Sequence, residues 1–418
     1  MFYEKSTLSN GLTVLSESMD GVRSVALGIW YRVGSRDEKP EQLGLSHFME
    51  HMMFKGTEKR TALDISMSFD AMGAELNAFT SKEYTCYYAR VLDERLESAF
   101  EILSDMVTSS VFASDAIHSE REVVIEEISR CEDTPDDHIG DLFSETFYPT
   151  VQLGRPILGT RELVGAYEHE DCQRYQESHY HAGNATVVAS GSIDHERLVA
   201  LCERYLGAMP TGTPNERGLV DEQNRKELAA LTRSTEQAHL LIGMPGVPLG
   251  HDDRYAAALL DSILGGPMSS RLFQEVREKR GLAYAVYAST VSYMNAAQFS
   301  VYAGTRPSNL GEVLGLIRKE LASLVAKGVT PEELARVQEY VVGNLVLAHE
   351  ATSSRMVRLG RNQVNGLKHL SIDELIERYR AVGLEDIKRV AERVFAQEPT
   401  VAVISPLTQD EIAELVCA

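Results

Sequence analysis

Cysteine is scarce: five residues are scattered through the 418, with no Cys-x-x-Cys pair among them. That excludes a disulfide framework and a paired-thiolate metal site, and the odd count suits a reducing compartment. Long apolar runs are also missing. No stretch approaches 18 apolar residues, so no transmembrane helix is expected. The opening segment from Met1 to Gly11 lacks the basic-then-apolar pattern of a signal peptide, which points to a cytoplasmic protein with no membrane association. Positive charge is in deficit, with 41 Lys and Arg against 62 Asp and Glu and a net charge of −21. Phosphate neutralisation needs clustered Lys and Arg, so this balance argues against nucleic acid as a partner. It serves solubility and is compatible with basic or neutral peptides as ligands.

What the chain does have is His47-Phe48-Met49-Glu50-His51. On a helix, residues four apart share a face, so His47 and His51 project together, and Glu50, three from His47, lies on the same side. Two imidazoles and a carboxylate at one point are what a zinc hydrolase uses as two ligands and a general base. The order, H-x-x-E-H, inverts the commoner H-E-x-x-H. Leu45, Phe48, Met49, Met52, Met53 and Phe54 surround the motif, so the helix is expected to be buried, where His and Glu must be paired or bind metal.

At this length the chain is expected to form two or more domains. Strand signals fall at 12–15, 22–33, 75–79, 84–91 and 185–191, and helices at 62–72, 94–109, from Ser114, and at 195–206. Residues 210–218, rich in Pro, Gly, Thr and Asn, read as a linker. The same order then restarts: a strand at 238–244, helices at 254–264 and 270–280, a strand pair at 283–290 and 298–304, helices at 310–327 and 330–349, and a last strand at 401–405. Local matches, such as 92–100 with 306–314, suggest a duplication. Near the equivalent of the metal motif the second half reads Ala258-Leu259-Leu260-Asp261-Ser262, so only the first half keeps a site. The expected division is a metal-binding domain over 1–212 and a homologous, metal-free domain over 219–418. Strand runs mixed with helix pairs imply an α+β fold with antiparallel sheets.

A catalytic zinc takes a third protein ligand. The helix from Ser114 offers Glu120 and Glu127, seven apart and so on one face, with Val123 and Val124 expected between them and Glu122 and Glu126 turned to solvent. Carboxylates in an apolar stripe either ligate a metal or meet Lys or Arg in a buried ion pair. The spacing leaves both readings open. In the aligned second-half helix these positions are Arg336 and Gly343.

The segment from Gly44 to Thr57, with Asn77 to Thr85, the Glu120–Glu127 helix and the stretch Ser269 to Tyr284, resembles the pitrilysin/insulysin-type zinc peptidases. These inverzincins include the mitochondrial processing peptidase and bacterial processing-peptidase-like enzymes, and the resemblance is to the latter branch. It covers nearly the whole chain. It implies one Zn²⁺ per chain on His47, His51 and Glu127, the glutamate 76 residues after the second His. Glu50 would be the catalytic base and Glu120 a supporting acidic residue. Arg277 and Tyr284 would grip the substrate and its developing oxyanion, and Asn77 would touch substrate on a strand at a sheet edge. The implied fold is two similar domains, each an antiparallel sheet packed with helices, making half of a clam-shell. The implied activity is endopeptidase cleavage of peptides by a homodimer. The rival reading is a non-catalytic scaffold or partner subunit of the same fold, against which the intact Glu50 counts.

Overall fold

The computed structural model describes residues 2–218, 220, 225 and 227–417. Residue 219, where the second domain was expected to start, lies outside them. The chain divides into two units, and neither is one contiguous half. The first comprises Met1–Ser129, Arg155–Gly218 and Leu347–Ser371; the second comprises Arg130–Gly154, Leu219–Val346 and Ile372–Ala418. A single cut near 212–219 therefore does not describe the division, because each unit includes a helix from the other half of the sequence.

The first unit is built on six strands: β1 (Glu4–Thr7), β2 (Thr13–Ser18), β3 (Ser24–Tyr31), β4 (Glu75–Thr80), β5 (Thr85–Leu92) and β6 (Ala185–Gly191), in the order β1-β2-β6-β3-β5-β4. The second carries β7 (Leu228–Thr232), β8 (Ala238–Pro245), β9 (Ala283–Ser292), β10 (Ala297–Thr305) and β11 (Thr400–Ser405), in the order β7-β11-β8-β10-β9. Without β1 the two orders are the same, strand for strand. Each sheet is antiparallel except for one parallel pair, β2 with β6 and β7 with β11, in corresponding places. The duplication and the α+β class are both present.

Central strands are buried on both faces. In β3, Val25, Leu27, Ile29 and Tyr31 enter the main core, while Ala26 and Trp30 enter a second cluster on the opposite face. That second face is covered by the helix Thr352–Val364, through Met356, Leu359 and Val364. In the second unit, Ala238, Leu240, Ile242 and Met244 of β8 face one core, and Leu241 meets Ile139, Phe143 and Phe147 of the helix Pro135–Phe147 on the other side. These are the exchanged helices. The fit is tight: a Cβ at Gly360 would lie 2.1 Å from the Trp30 ring.

The 210–218 segment is irregular in backbone but held. Arg217 makes a bidentate pair with Asp37 (2.8 and 2.9 Å), and Asn215 donates to the Arg32 carbonyl (3.1 Å). No helix among the described residues is long and apolar enough to cross a membrane.

Candidate metal centre

The helix carrying the motif spans Leu45–Met52 and packs on β4 and β5. It begins at Gly44, whose φ of +92° favours glycine. Glu38 accepts the N–H groups of Gly44 (3.0 Å) and Ser46 (2.7 Å), capping the helix start with a buried carboxyl. Burial pushes that carboxyl up to about 7 in spite of these bonds. Leu45, Phe48, Met49 and Met52 are buried, and His47, Glu50 and His51 are half-buried on the remaining side, as the spacing requires.

The second contribution comes from the helix Ser114–Asp133. Its buried stripe is Ile117, Glu120, Val124 and Ile128, with Glu127 half-buried and Glu122 and Glu126 exposed. Val123, expected inside, is exposed, because at about 100° per residue it lies to one side of Glu120 while the buried Ile117, Val124 and Ile128 lie to the other.

The two carboxylates take different partners. Glu127 Oε2 lies 3.7 Å from His47 Nε2 and 3.6 Å from His51 Nε2. The edges of a tetrahedron with zinc–ligand bonds of about 2.1 Å are about 3.4 Å, so this donor set fits the ion. Among the described residues, His47, His51 and Glu127 form the one group of this kind, their ligand atoms all within 4.8 Å of one another. Glu120 instead accepts from His51 Nδ1 (2.8 Å) and pairs with Lys55 Nζ (2.5 Å). Glu120 thus takes the ion-pair reading of the stripe, while Glu127 stands in a group that could hold a metal ion.

Electrostatics follow the geometry. Burial, with His51 nearby, lowers His47 to about 3, keeping its imidazole neutral and able to ligate. Burial also lowers His51, but the Glu120 bond and the charges of Glu127, Glu120 and Glu50 outweigh it, and the net shift is upward. Glu120 is raised by burial and lowered more by His51 and Lys55. Burial raises Glu50, with Thr80 at the end of β4 opposing in part. One Glu50 oxygen is buried without a hydrogen-bond partner.

Asn77 sits exposed on β4, the edge strand beside the metal helix, and its side-chain oxygen accepts the Ala78 N–H (2.8 Å). In the second unit the structure brings Arg277 and Tyr284 together. The 270–280 helix is only partly formed as expected: Phe273–Glu278 is a wide π-turn carrying Arg277. The Arg277 guanidinium carbon lies 4.6 Å from the centroid of the Tyr284 ring and 4.7 Å from that of Phe273. Tyr284 is the extra residue of a β-bulge, since Gly304 pairs with Ala285 and Thr305 with Ala283, and its ring is 77% exposed. Sequence reasoning missed Glu38 and Lys55. Lys55 could have been found from its place four residues after His51.

Residues 13–161 match the family model described as insulinase (peptidase family M16), and residues 167–341 match the one described as the peptidase M16 inactive domain. An uncharacterized zinc protease of Streptomyces coelicolor is 41% identical over 420 residues, spanning 98% of this chain and 91% of its own length. The chain belongs to peptidase family M16. The uncharacterized zinc protease YmxG of Bacillus subtilis is 40% identical over 403 residues, covering 96% of this chain and 98% of that protein. Two solved structures share the M16 fold with a TM-score of 0.90. A protease from Helicobacter pylori is 22% identical, covering 97% of this chain and 99% of its own. A peptidase M16 inactive domain from Pseudomonas fluorescens is 18% identical, covering 98% and 99%. The stretch matched by the M16 inactive-domain model, 167–341, contains no His-x-x-Glu-His.

Proposed function

We propose that this M16 chain is a zinc-dependent endopeptidase acting on peptides or short unfolded polypeptides. The observation that carries this reading is the convergence of His47, His51 and Glu127 beside the buried, unpartnered oxygen of Glu50. The three would hold one zinc ion per chain. When bound, zinc polarises a scissile carbonyl and acidifies an attacking water. Glu50 takes the proton from that water and hands it to the leaving amine, a role its raised proton affinity favours. Glu120 holds the His51 ring through Nδ1, so that Nε2 serves the ion. A substrate in extended form adds to the free edge of β4, taking backbone hydrogen bonds there and touching Asn77. In a homodimer, Arg277 and Tyr284 of one subunit grip the substrate held at the metal centre of the other, and the Tyr284 hydroxyl donates to the oxyanion. The working unit is a cytoplasmic homodimer, supported by the resemblance to enzymes built from two such halves. The acidic balance of the chain favours basic peptides.

The test is cleavage of basic peptides of about 10–40 residues by the zinc-loaded chain and by Glu50→Gln, read by mass spectrometry. Loss of the base is expected to slow turnover roughly 10²–10⁴-fold while zinc is retained. Absence of cleavage by the zinc-loaded wild type would favour a non-catalytic partner subunit.

A further inference from the structure

Lys55 is the side chain near the metal cluster with no part in the scheme above. It follows the metal-motif helix by one turn, in which Phe54 N–H donates to the His51 carbonyl and Lys55 N–H to the Met52 carbonyl, both at 3.1 Å. Gly56, at φ +125°, then turns the chain away. Lys55 is thus held on the side of His51, four residues back, and its ammonium reaches Glu120 Oε2 (2.5 Å). The other oxygen, Oε1, faces His51 Nδ1 (2.8 Å). Glu120 is only 4% exposed, so its two oxygens are shared between these two partners.

Resting on the zinc-peptidase reading, we propose that Lys55 is a positioning residue of the metal centre. It clamps Glu120 so that the carboxylate takes the Nδ1–H of His51 and leaves Nε2 turned toward Glu127 and His47. A terminal carboxylate torsion is broad and roughly two-fold, so one hydrogen bond to an imidazole does not fix the group. A second bond to the other oxygen, from an element continuous with the His51 helix, does. Charge argues the same way. A divalent ion with Glu127, Glu50, Glu120 and Lys55 sums to zero, whereas without Lys55 the half-buried centre carries an extra negative charge. This pair is not a solvated surface contact of small consequence, because the carboxylate is buried. In the second half, the Glu120 position is Arg336, and the metal motif is gone with it.

The test uses the full chain and measures zinc affinity by chelator competition for wild type, Lys55→Met, Lys55→Arg, Glu120→Gln and the Lys55→Met/Glu120→Gln double variant. Lys55→Met is expected to weaken zinc binding roughly 10–100-fold, the range for a lost partner of a ligating histidine. Lys55→Arg should restore most of it. In the Glu120→Gln background, Lys55→Met should cost nothing more, since it acts through Glu120. The visible spectrum of the cobalt-substituted chain should shift in Lys55→Met and return in Lys55→Arg. If Lys55→Met does not fold, Lys55→Gln takes its place, with the metal-free melting temperature as the check on folding. The inference is overturned if the neutral variant binds zinc like wild type, if Arg does no better than Met, or if the loss persists undiminished with Gln at 120. A wild type that binds zinc and cleaves peptide, beside an unaltered Lys55→Met, overturns this inference alone. A wild type that binds no zinc overturns the peptidase reading as well.

Discussion

Gly360→Ala should destabilise the protein, although the same change in most helices stabilises. Gly360 lies in the helix Thr352–Val364, which comes from the second half of the sequence and packs on the first sheet. A Cβ there would meet Trp30 Cε2 at 2.1 Å, Nε1 at 2.5 Å and Cζ2 at 2.6 Å. Carbon contacts are comfortable at about 3.5–4.0 Å, so helix and indole must part by more than about 1 Å. Trp30 cannot swing aside. It is fully buried, with Phe79 and Tyr84 rings at 5.4 and 5.6 Å. Overpacking of this kind costs about 1–3 kcal/mol, and the helix-propensity gain of Ala over Gly returns roughly 1 kcal/mol at most. The net expectation is a loss of up to about 2 kcal/mol, where Gly315→Ala, with nothing within 4 Å of its Cβ, should gain about 0.5–1 kcal/mol. Urea unfolding followed by tryptophan fluorescence measures Gly360→Ala, because Trp30 is the only tryptophan and reports on this contact directly, and circular dichroism measures Gly315→Ala in the other unit. If Gly360→Ala stabilises as Gly315→Ala does, the helix is not seated on Trp30 and the exchange described above is wrong.

Glu17→Ala should cost about 3 kcal/mol or more in the same assay. Glu17 is buried and pairs with Arg355 (2.7 Å) and Arg358 (3.5 Å) of the same exchanged helix, so its removal leaves two cations without their counter-charge. For pH dependence, Asp261 accepts from Thr290 Oγ1 (3.0 Å), and burial pushes its carboxyl up to about 7 from 3.8. A folded-state value above the unfolded one means that stability is fully present below pH 3.8 and is lost as pH rises through about 7, by up to about 1.4 kcal/mol per unit. Asp261→Asn should therefore gain on wild type between urea midpoints taken at pH 5 and pH 8; an equal offset at both would refute the assignment.

The order of elements along the chain was largely legible, β1 and β7 aside, because it rests on local pattern. Both halves run through strands and helices in a similar order, and the sheets repeat each other down to the position of the parallel pair, which the sequence did not show. The exchanged helices were not legible, and the reason is physical. An amphipathic stretch such as Ile139, Phe143 and Phe147 states that one face wants burial, but any apolar sheet face satisfies it. What selects the partner is shape, as in the absence of a Cβ at Gly243, where one would lie 2.7 Å from Phe143, and this is no property of a local window. The π-turn at Phe273–Glu278 escaped for a related reason, since one extra residue in a helical turn leaves the apolar spacing almost unchanged.

The site divides in the same way. His47, Glu50 and His51 were set by spacing within one short helix, and the structure keeps them on one side of it. Glu120 and Glu127 could not be told apart by a helical wheel, because seven residues return to within about 20° of the starting direction. What separates them is a neighbour contributed by another element. Lys55 claims one oxygen of Glu120 and His51 Nδ1 the other, while Glu127 faces the Nε2 atoms of both histidines. A carboxylate of the His-His-Glu group and one that bonds a histidine of that group can thus have the same residue type, helix and face, and be distinguished by where a single cation sits. That is why removing the cation is a sharper probe of this centre than removing either carboxylate. Loss of Glu127 would abolish the cluster under any reading, whereas loss of Lys55 disturbs it only if Glu120 acts through His51.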